Sequence, residues 1–205
     1  MSSEAQAGTE TGGDVGGGAA HHVETLPGKV RPITYYGDEV LHRPCAEVPE
    51  GYPELEQLVA DMFASMYAAE GVGLAANQIG VGLRVFVIDC PEEDADGNPT
   101  GRHVVGTVVN PVLHLPDGPR ELVERTEGCL SVPGATSMLA RVSEAHVHGF
   151  NEKWEPITIS GTGLVARCLQ HECDHLDGTV YVDRLAKRAR KEALAAADFS
   201  RGGTA

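Results

Sequence analysis

The residues with the clearest capacity for chemistry are His171, Glu172 and His175, in the segment HECDH. If this segment is helical, the two histidines lie one turn apart, so both imidazoles can bind one metal ion. Glu172 leans toward the same side and can take a proton from a water molecule that the metal activates. Two histidines on a partly buried helix can also be hydrogen-bonded core residues. The segment therefore predicts a hydrolytic metal centre only if a third ligand is present.

The third ligand decides which chemistry is available, because a catalytic metal normally has three protein ligands and one open position. One group of zinc peptidases places a third histidine six residues after the second, but that position is Tyr181 here. Another group uses a downstream glutamate, for which Glu192 is a possible ligand. Its place beside Lys191, in the basic run RLAKRARKEAL, is more typical of a solvated surface residue.

Cysteine is the other ligand type to consider. Cys173 points about 200° around the helix from His171, so it cannot join the two histidines. Cys168 lies near the correct face, but one straight helix would then have to span about 10 Å with three ligands, so packing in a wall or core suits it better. Cys129, in TEGCLSVPG, has glycine before it and Pro-Gly after it, a backbone that can aim a thiolate. Its alternative role is that of a small buried hydrophobic residue.

Two helices are predicted by apolar periodicity. The HECDH helix begins near Gly163, and the segment GYPELEQLVADMFASMYAAEG gives the clearest helix, with Pro53 suited to its first turn and Gly71 to its stop. The apolar face of the first of these contains Leu164, Val165, Cys168, Leu169 and Leu176. The apolar face of the second contains Leu55, Leu58, Val59, Met62, Phe63, Met66 and Tyr67.

Short β-rich segments lie between these helices and are separated by Pro, Gly, Asp and Asn turn signals. Runs of strands with helices set apart predict an α+β fold rather than alternating α/β units. The predicted strands are 83–89, 103–113, 120–127, 141–150 and 156–160.

Composition limits the remaining possibilities. The 205 residues, 41% of them hydrophobic, predict one sizeable domain, and a formal net charge of −14 argues against nucleic-acid binding through phosphate contacts. Residues 1–28 are rich in small and acidic residues and predict a disordered tail, in which His21 and His22 are interpreted as solvated. Five cysteines with no secretory signal predict a cytoplasmic protein, and no apolar run reaches the roughly 20 residues that span a membrane.

Three blocks of the sequence resemble the signature blocks of bacterial peptide deformylases: GVGLAANQ (71–78), EGCLS (127–131) and QHECDHLDG (170–178). Their order and spacing fit that family, and the resemblance spans a catalytic domain of roughly residues 29–185. It implies a cytosolic hydrolase that removes the N-formyl group from the initiator methionine of new proteins and releases formate. The implied fold is α+β, with antiparallel sheets packed around the HExxH helix, a further N-terminal amphipathic helix and a C-terminal helix.

The resemblance also implies a set of site residues. Glu172 would be the general acid/base, and the Gln78 amide would lie beside the reacting carbonyl. The Leu130 backbone N–H is a further donor able to stabilise the tetrahedral oxyanion. The implied ligands of one divalent metal, often Fe²⁺ in the cell with Zn²⁺, Ni²⁺ or Co²⁺ as substitutes, are Cys129, His171 and His175.

Substrate binding is expected along the glycine-rich block, where an extended peptide can pair with the chain as an added strand. An apolar pocket for the formylmethionine side chain would include Val72, Leu130 and Cys168. Arg167 stands where the family often has an apolar residue, which predicts a more polar pocket rim. The expected substrate-binding residues are Gly71, Val72, Gly73, Glu127, Gly128 and Cys168.

The expected partners are N-formylmethionyl nascent peptides, with no direct binding to nucleic acid or membrane. Residues 186–205 are predicted to form a basic C-terminal helix and tail. Such a run is usually a solvated face, and weak electrostatic contact with the ribosome is a further hypothesis. The cations that suggest it are Arg184, Lys187, Arg188, Arg190 and Lys191.

Overall fold

The computed structural model describes residues 27–94 and 96–202, so the predicted tail 1–28 lies almost wholly outside the described residues. The helices are α1 (Leu55–Ala68), α2 (Gly163–Leu176) and α3 (Lys187–Ala196). The strands are β1 (Gly73–Ala75), β2 (Val85–Glu93), β3 (Pro99–His114), β4 (Leu122–Cys129), β5 (Val132–Val142), β6 (Glu144–Phe150) and β7 (Pro156–Thr162). Short 3₁₀ helices lie at Glu39–Leu41, Ala76–Ile79, Tyr181–Arg184 and Phe199–Gly202.

The strands form two antiparallel sheets, which confirms the predicted α+β class. Five strands are arranged in the order β1-β2-β3-β6-β7, and β4 pairs with β5 in a separate two-stranded sheet. Helix α2 packs its apolar side against one face of the larger sheet. The buried residues shared by the helix and the sheet include Phe86, Ile88, Val108, Ala145, Val147, Val165, Leu169, Cys173 and Leu176.

Helix α2 begins at the residue that the sequence predicted. Gly163 has a φ of 55°, a left-handed conformation that glycine adopts without strain. The Leu164 N–H then donates a hydrogen bond of 3.1 Å to Glu93 Oε2, so a carboxylate stabilises the positive end of the helix dipole. The same carboxylate binds Arg125 at 2.6 Å, which ties the start of α2 to the smaller sheet.

Helix α1 packs on a second apolar cluster, but two predictions about it were wrong. Tyr67 does not belong to the buried face, since it is 52% exposed and its hydroxyl donates to Asp89 at 2.8 Å. The helix stop is not made by glycine, because the left-handed residue is Glu70, with a φ of 57°. The Gly71 N–H instead closes the turn on the Met66 carbonyl at 2.9 Å.

The strand predictions erred around the smaller sheet. The predicted strand 141–150 is two strands, which separate at Ser143, and most of β5 was not predicted. The Pro133-Gly134 pair resembles a turn in isolation, yet both residues lie in β5, which pairs with β4 along most of its length. Strand β1 was also missed, since only three residues pair, and they do so with β2.

Helix α3 closes a third apolar cluster through Ala193, which is buried with Val132, Ala135 and Leu139 of β5. Within the described part of the chain, no helix has both the length and the hydropathy required to cross a membrane.

Candidate metal centre

Three side chains converge between α2 and the end of β4. The ligand atoms of Cys129, His171 and His175 all lie within 4.8 Å of one another. The two imidazole rings have centroids 4.9 Å apart and planes inclined at 72°. Cys129 Sγ is 3.1 Å from His175 Nε2. A thiolate and two imidazoles are ligands that divalent iron, zinc, nickel and cobalt all accept.

The cysteine reaches α2 because the hairpin is irregular at that point. The register of β4 against β5 shifts between Gly128 and Cys129, so Cys129 pairs with Val132 across a two-residue connection. A register shift of this kind re-aims the next side chain. The thiol therefore leaves the strand pattern and points toward the histidines of α2.

Glu127 fixes the orientation of one of these histidines. Its Oε1 lies 2.7 Å from His171 Nδ1, so the imidazole donates that N–H to the carboxylate and leaves Nε2 directed at the convergence point. Glu127 is 5% exposed, which makes this a buried contact. The carboxylate both orients the ring and raises its basicity as a ligand.

Two arginines hold Glu127 in place. Arg141 donates from Nε to Oε2 at 3.0 Å and from Nη2 to Oε1 at 2.5 Å. Arg167 donates to Oε2 at 2.8 Å, and its other contacts are two backbone carbonyls. Arg141 also binds Asp174 of α2 at 2.5 Å. The carboxylate beneath the metal centre is therefore fixed from two sides by charged hydrogen bonds.

This network alters the protonation of the site. Burial acts to raise the pKa of Glu127, but hydrogen bonds from His171 and Arg141 hold that pKa well below its usual range. Burial acts to lower the pKa of His171, but contacts with Cys129 and Glu127 hold it well above the ordinary value. Burial and the charge of His171 lower the pKa of His175. His175 is therefore prepared as the neutral ligand that a metal needs, and metal binding would release a proton from His171.

Glu172 lies beside the three ligands and is available for proton transfer. Its Oε2 is buried without a hydrogen-bond partner in the described part of the chain. Burial raises the pKa of its carboxyl to about 7, a value suited to a group that accepts and returns a proton near neutral pH. A Cβ on Gly73 would lie 2.4 Å from Glu172 Oε1, so only glycine leaves this carboxyl room.

Gln78 has a fixed orientation in the same site. Its Oε1 accepts the Ala75 N–H at 2.9 Å, while its Nε2 lies 3.2 Å from Ser131 Oγ and 3.4 Å from Cys129 Sγ. The carbonyl end of the amide is thus occupied, and its NH₂ group faces the metal ligands. This arrangement presents a donor, rather than an acceptor, to a bound carbonyl.

A cavity of about 560 Å³ opens onto these groups. All the predicted site residues line it except His175, which lies beneath it with an exposure of 0%. Residues 71–73, which lead into the edge strand β1, form one wall, and the segment around Leu130 forms the opposite wall. Arg167 also lines the cavity, but it is 5% exposed and paired, so it supports Glu127 rather than forming the polar rim that the sequence suggested.

The other ligand candidates are not part of this cluster. Glu192 lies on α3 with its side chain 64% exposed and pairs with Arg188 at 2.8 Å. Cys173 is buried on the sheet side of α2, and Cys168 lies in the cavity wall, with Sγ 3.8 Å from the Val72 carbonyl. Among the described residues, only Cys129, His171 and His175 form a three-ligand group.

The supporting roles of two residues were not found from the sequence. Arg141 lies at the start of the predicted strand 141–150, but its pairing with β4 was not predicted, so nothing in the sequence placed it against Glu127. Asp174 lies within the HECDH motif itself and binds both Arg141 and Arg184. Its position directly before the second histidine was the one sequence signal for a structural role near the metal ligands. A carboxylate at that position could also have been solvated.

The residues present fit a metal ion. Besides the converging donors, His175 Nδ1 is buried without a hydrogen-bond partner in the described chain, as is Glu172 Oε2. Buried polar atoms are rarely left without a partner unless another group satisfies them or fixes their neighbours. A metal on the three ligands would fix the His175 ring through its other nitrogen and lie next to the Glu172 carboxyl.

The fold and site together define a class of hydrolases built around an HExxH helix, with a cysteine from a neighbouring strand beside the two histidines. Residues 30–191 match the family described as polypeptide deformylase. The chain belongs to the peptide deformylase family.

Curated relatives and solved structures agree with this assignment. Peptide deformylase 1 of Streptomyces avermitilis is 56% identical over 168 residues, which are 82% of this chain and 75% of that protein. Peptide deformylase 2 of Corynebacterium efficiens is 45% identical over 181 residues, 85% of this chain and 91% of that protein. A crystal structure of peptide deformylase from Ehrlichia chaffeensis in complex with actinonin has a TM-score of 0.71 at 35% identity, covering 82% of this chain and 95% of that one.

Proposed function

We propose that this chain is a metal-dependent hydrolase that removes the N-formyl group from the N-terminal formylmethionine of newly synthesised proteins and releases formate. The observation that carries the proposal is the convergence of Cys129, His171 and His175 beside the buried carboxyl of Glu172, at the base of a cavity. Family membership supports the same reaction.

The metal in this proposal is one divalent ion, with Fe²⁺ expected in the cell and Zn²⁺, Ni²⁺ or Co²⁺ able to replace it. When bound to the three ligands, such an ion acts as a Lewis acid that lowers the pKa of water at the site toward about 7. Cys129 contributes one negative charge to the ligand set, which makes the site softer than one of three neutral imidazoles.

Glu172 moves the proton in this mechanism. It accepts a proton from the attacking water and returns it to the amine nitrogen as the formamide C–N bond breaks. The products are formate and a free N-terminal amine. The raised pKa of Glu172 favours the return step, and the positive charge of a bound metal would make the carboxyl a weaker base than it is alone.

Gln78 and Leu130 stabilise the oxyanion that forms during attack. The NH₂ group of Gln78 is directed into the site by the Ala75 N–H, which occupies the amide oxygen. Leu130 follows Cys129 at the hairpin turn and offers its backbone N–H to the same region. One preorganised donor of this kind typically contributes about 2.7–4 kcal/mol to catalysis.

The cavity walls suit an extended peptide with an apolar first side chain. Strand β1 is an edge of the large sheet, so backbone groups near Val72 and Gly73 can pair with a substrate strand. Val72, Leu130 and Cys168 give the cavity an apolar lining for a methionine side chain. Glu127 and Gly128 complete the opposite wall, where Glu127 acts through His171.

Nascent chains are the proposed partners, and the cytoplasm is the proposed location. Ion pairs already engage Arg184, Arg188 and Arg190, which limits the cations available for ribosome contact near α3. Lys187 and Lys191 would carry the contact. Cosedimentation with ribosomes at low salt should therefore decrease in a Lys187→Ala/Lys191→Ala variant, and unchanged cosedimentation would remove this contact from the proposal.

The reaction is tested with a formyl-Met-Ala-Ser peptide and anaerobically purified protein whose bound metal is quantified. We expect formate release with the Met–Ala and Ala–Ser bonds intact by mass spectrometry. Cleavage of the peptide backbone would instead indicate an endopeptidase. Absence of formate from fully metallated protein would overturn the proposal.

A further inference from the structure

Three histidines form a cluster on the surface, away from the catalytic cavity. His114 lies at the end of β3, and His146 and His148 lie on the neighbouring strand β6. Between them, Val147 faces the opposite side of the sheet and is buried against α2. Since side chains alternate along a strand, the three imidazoles lie on the outer face of the five-stranded sheet. None of them lines the catalytic cavity.

We propose that His114, His146 and His148 form a second metal site, which binds one divalent transition ion such as Zn²⁺ through imidazole nitrogen.

The spacing of the three rings is the first argument. Their centroids are 4.9 Å apart for His114 and His148, 5.2 Å for His114 and His146, and 5.4 Å for His146 and His148. Two imidazoles bound to one tetrahedral metal at about 2.0–2.1 Å per bond place their centroids about 5 Å apart. All three pairs therefore have the separation that a shared ion requires.

The catalytic centre gives an internal standard for this geometry. His171 and His175 have a centroid distance of 4.9 Å and an interplanar angle of 72°. His114 and His148 have 4.9 Å and 73°. The surface pair thus matches the two histidines of the catalytic ligand set in ring separation and inclination, although it is built from two strands instead of one helix.

The availability of ring nitrogens is the second argument. His148 Nδ1 is 2.7 Å from Thr158 Oγ1 on β7, which fixes one nitrogen and leaves Nε2 for a ligand. This contact parallels the one between His171 and Glu127, with a neutral hydroxyl in place of a carboxylate. The rings of His114 and His146 contact no hydrogen-bonding or charged partner in the described chain, so their nitrogens are free to bind.

Ion binding here requires small side-chain rotations. The surface rings are not among the described groups whose ligand atoms already converge within 4.8 Å, and His114 and His146 are stacked with their planes only 6° apart. His114 and His148 are exposed, so rotation about their side-chain bonds meets little packing resistance. The net charge of −14 adds a general attraction for cations. The histidine side chains must therefore rotate to bind the ion, and the affinity of this site for zinc should be lower than that of the catalytic centre.

The test uses zinc-loaded holoenzyme, with its catalytic site filled, dialysed to equilibrium against increasing free Zn²⁺. Bound metal is counted by mass spectrometry, and the imidazole C–H resonances are followed by NMR in the same titration. We expect one further equivalent of zinc, with the resonances of the three clustered histidines shifting together. His146→Asn should lose this equivalent.

Matched variants separate the cluster from other imidazoles. His103→Asn removes an exposed histidine that pairs with Asp89, outside the cluster, and His21→Ala/His22→Ala removes both histidines of the N-terminal segment. Both variants should retain the second equivalent. The proposal is overturned if wild type binds no second equivalent, if His146→Asn retains it, or if only the His21→Ala/His22→Ala variant loses it. Formate release is a separate measurement, so failure of this site would not affect the proposed reaction.

Discussion

The catalytic centre and the surface histidine cluster have similar ring geometry but different surroundings. His171 and His175 lie 4.9 Å apart at 72°, and His114 and His148 lie 4.9 Å apart at 73°. At the catalytic centre, Glu127 orients one ring and is itself held by two buried arginines. At the surface, the one hydrogen bond to the cluster within the described residues joins His148 to the Thr158 hydroxyl. Imidazole spacing alone therefore does not distinguish a catalytic site from a surface one.

The two sites differ in the residues that hold their histidines in place. Buried charges are costly unless they are paired, so the carboxylates and arginines around α2 constrain one another tightly. The surface cluster depends on strand register, and the exposed rings of His114 and His148 meet little packing resistance to rotation. Substitutions near the catalytic centre should therefore change turnover, metal affinity and stability together, whereas substitutions in the surface cluster should change only local ion binding.

The largest effect is expected for Glu172→Gln. This substitution removes the proton acceptor but preserves size, so formate release should fall by about 10²–10⁴-fold while bound metal stays equimolar. Glu192→Gln is the matched control, since Glu192 is exposed on α3 and its one ion pair among the described residues is with Arg188. Wild-type turnover in Glu172→Gln would show that another group transfers the proton.

Glu127→Gln should destabilise the fold and the metal site together. Loss of this carboxylate leaves Arg141 and Arg167 without their shared charge, at a cost of about 3–5 kcal/mol in the free energy of unfolding. Metal affinity should fall about 10–100-fold, because His171 loses the group that orients it. Glu124→Gln, at an exposed position of the same strand, is the matched control. Its free energy of unfolding should lie within about 0.5 kcal/mol of the wild-type value.

The stability difference for Glu127→Gln should depend on pH. Because the folded state lowers the pKa of Glu127, its contribution is fully present above its ordinary pKa of 4.5. The contribution is lost as the pH falls below that value toward the lower folded pKa. Urea unfolding of both proteins should therefore converge on acidification. If the difference in free energy of unfolding between wild type and Glu127→Gln widened at low pH, the ion-pair explanation would be contradicted.

Arg167→Met should have a smaller effect on stability. Arg141 still pairs with Glu127 in this variant, but the carbonyls of Leu139 and Val123 lose a donor. We expect the free energy of unfolding, measured with urea, to fall by about 1–3 kcal/mol. Arg102→Met, at an exposed surface pair, is the control and should cost about 1 kcal/mol or less. A loss as large as that of Glu127→Gln would mean that Arg141 alone cannot neutralise the carboxylate.

The smallest effect is expected for His146→Asn in the absence of added zinc. Its ring lies on the outer sheet face without a charged partner among the described residues, so the free energy of unfolding should change by about 0.5 kcal/mol or less. Formate release should equal that of wild type. A clear loss of turnover would show that the outer sheet face is coupled to the catalytic centre, and the two regions could not be treated as independent.

Local sequence patterns predicted the helices. They did not predict the ion pairs that hold the site residues in place. The apolar spacing of α2 and the HECDH motif are readable because residues four apart are neighbours on a helix. Arg141 and Glu127 meet only through the β4–β5 pairing, whose register shifts just before Cys129. Pairing between strands depends on contacts across the chain, so the β4–β5 pairing and the place of Arg141 beside Glu127 could not be found from local signals.

The surface histidines show a related limit. His146 and His148 alternate on one predicted strand, but His114 joins them only through the pairing of β3 with β6. No local signal indicated that these two segments would be adjacent. By contrast, the residues expected at the catalytic cavity, apart from Cys168, came from three sequence blocks, and the structure brings those blocks to one place.

The most direct test is to measure bound metal and formate release together in Cys129→Ser and Cys173→Ser, two substitutions of free cysteines close to the same helix. We predict that Cys129→Ser loses most of its metal and its formate release, because a soft thiolate ligand is replaced by a hydroxyl. Cys173→Ser, buried on the opposite side of α2, should retain both. Full metal content and turnover in Cys129→Ser would contradict the assignment of the metal centre.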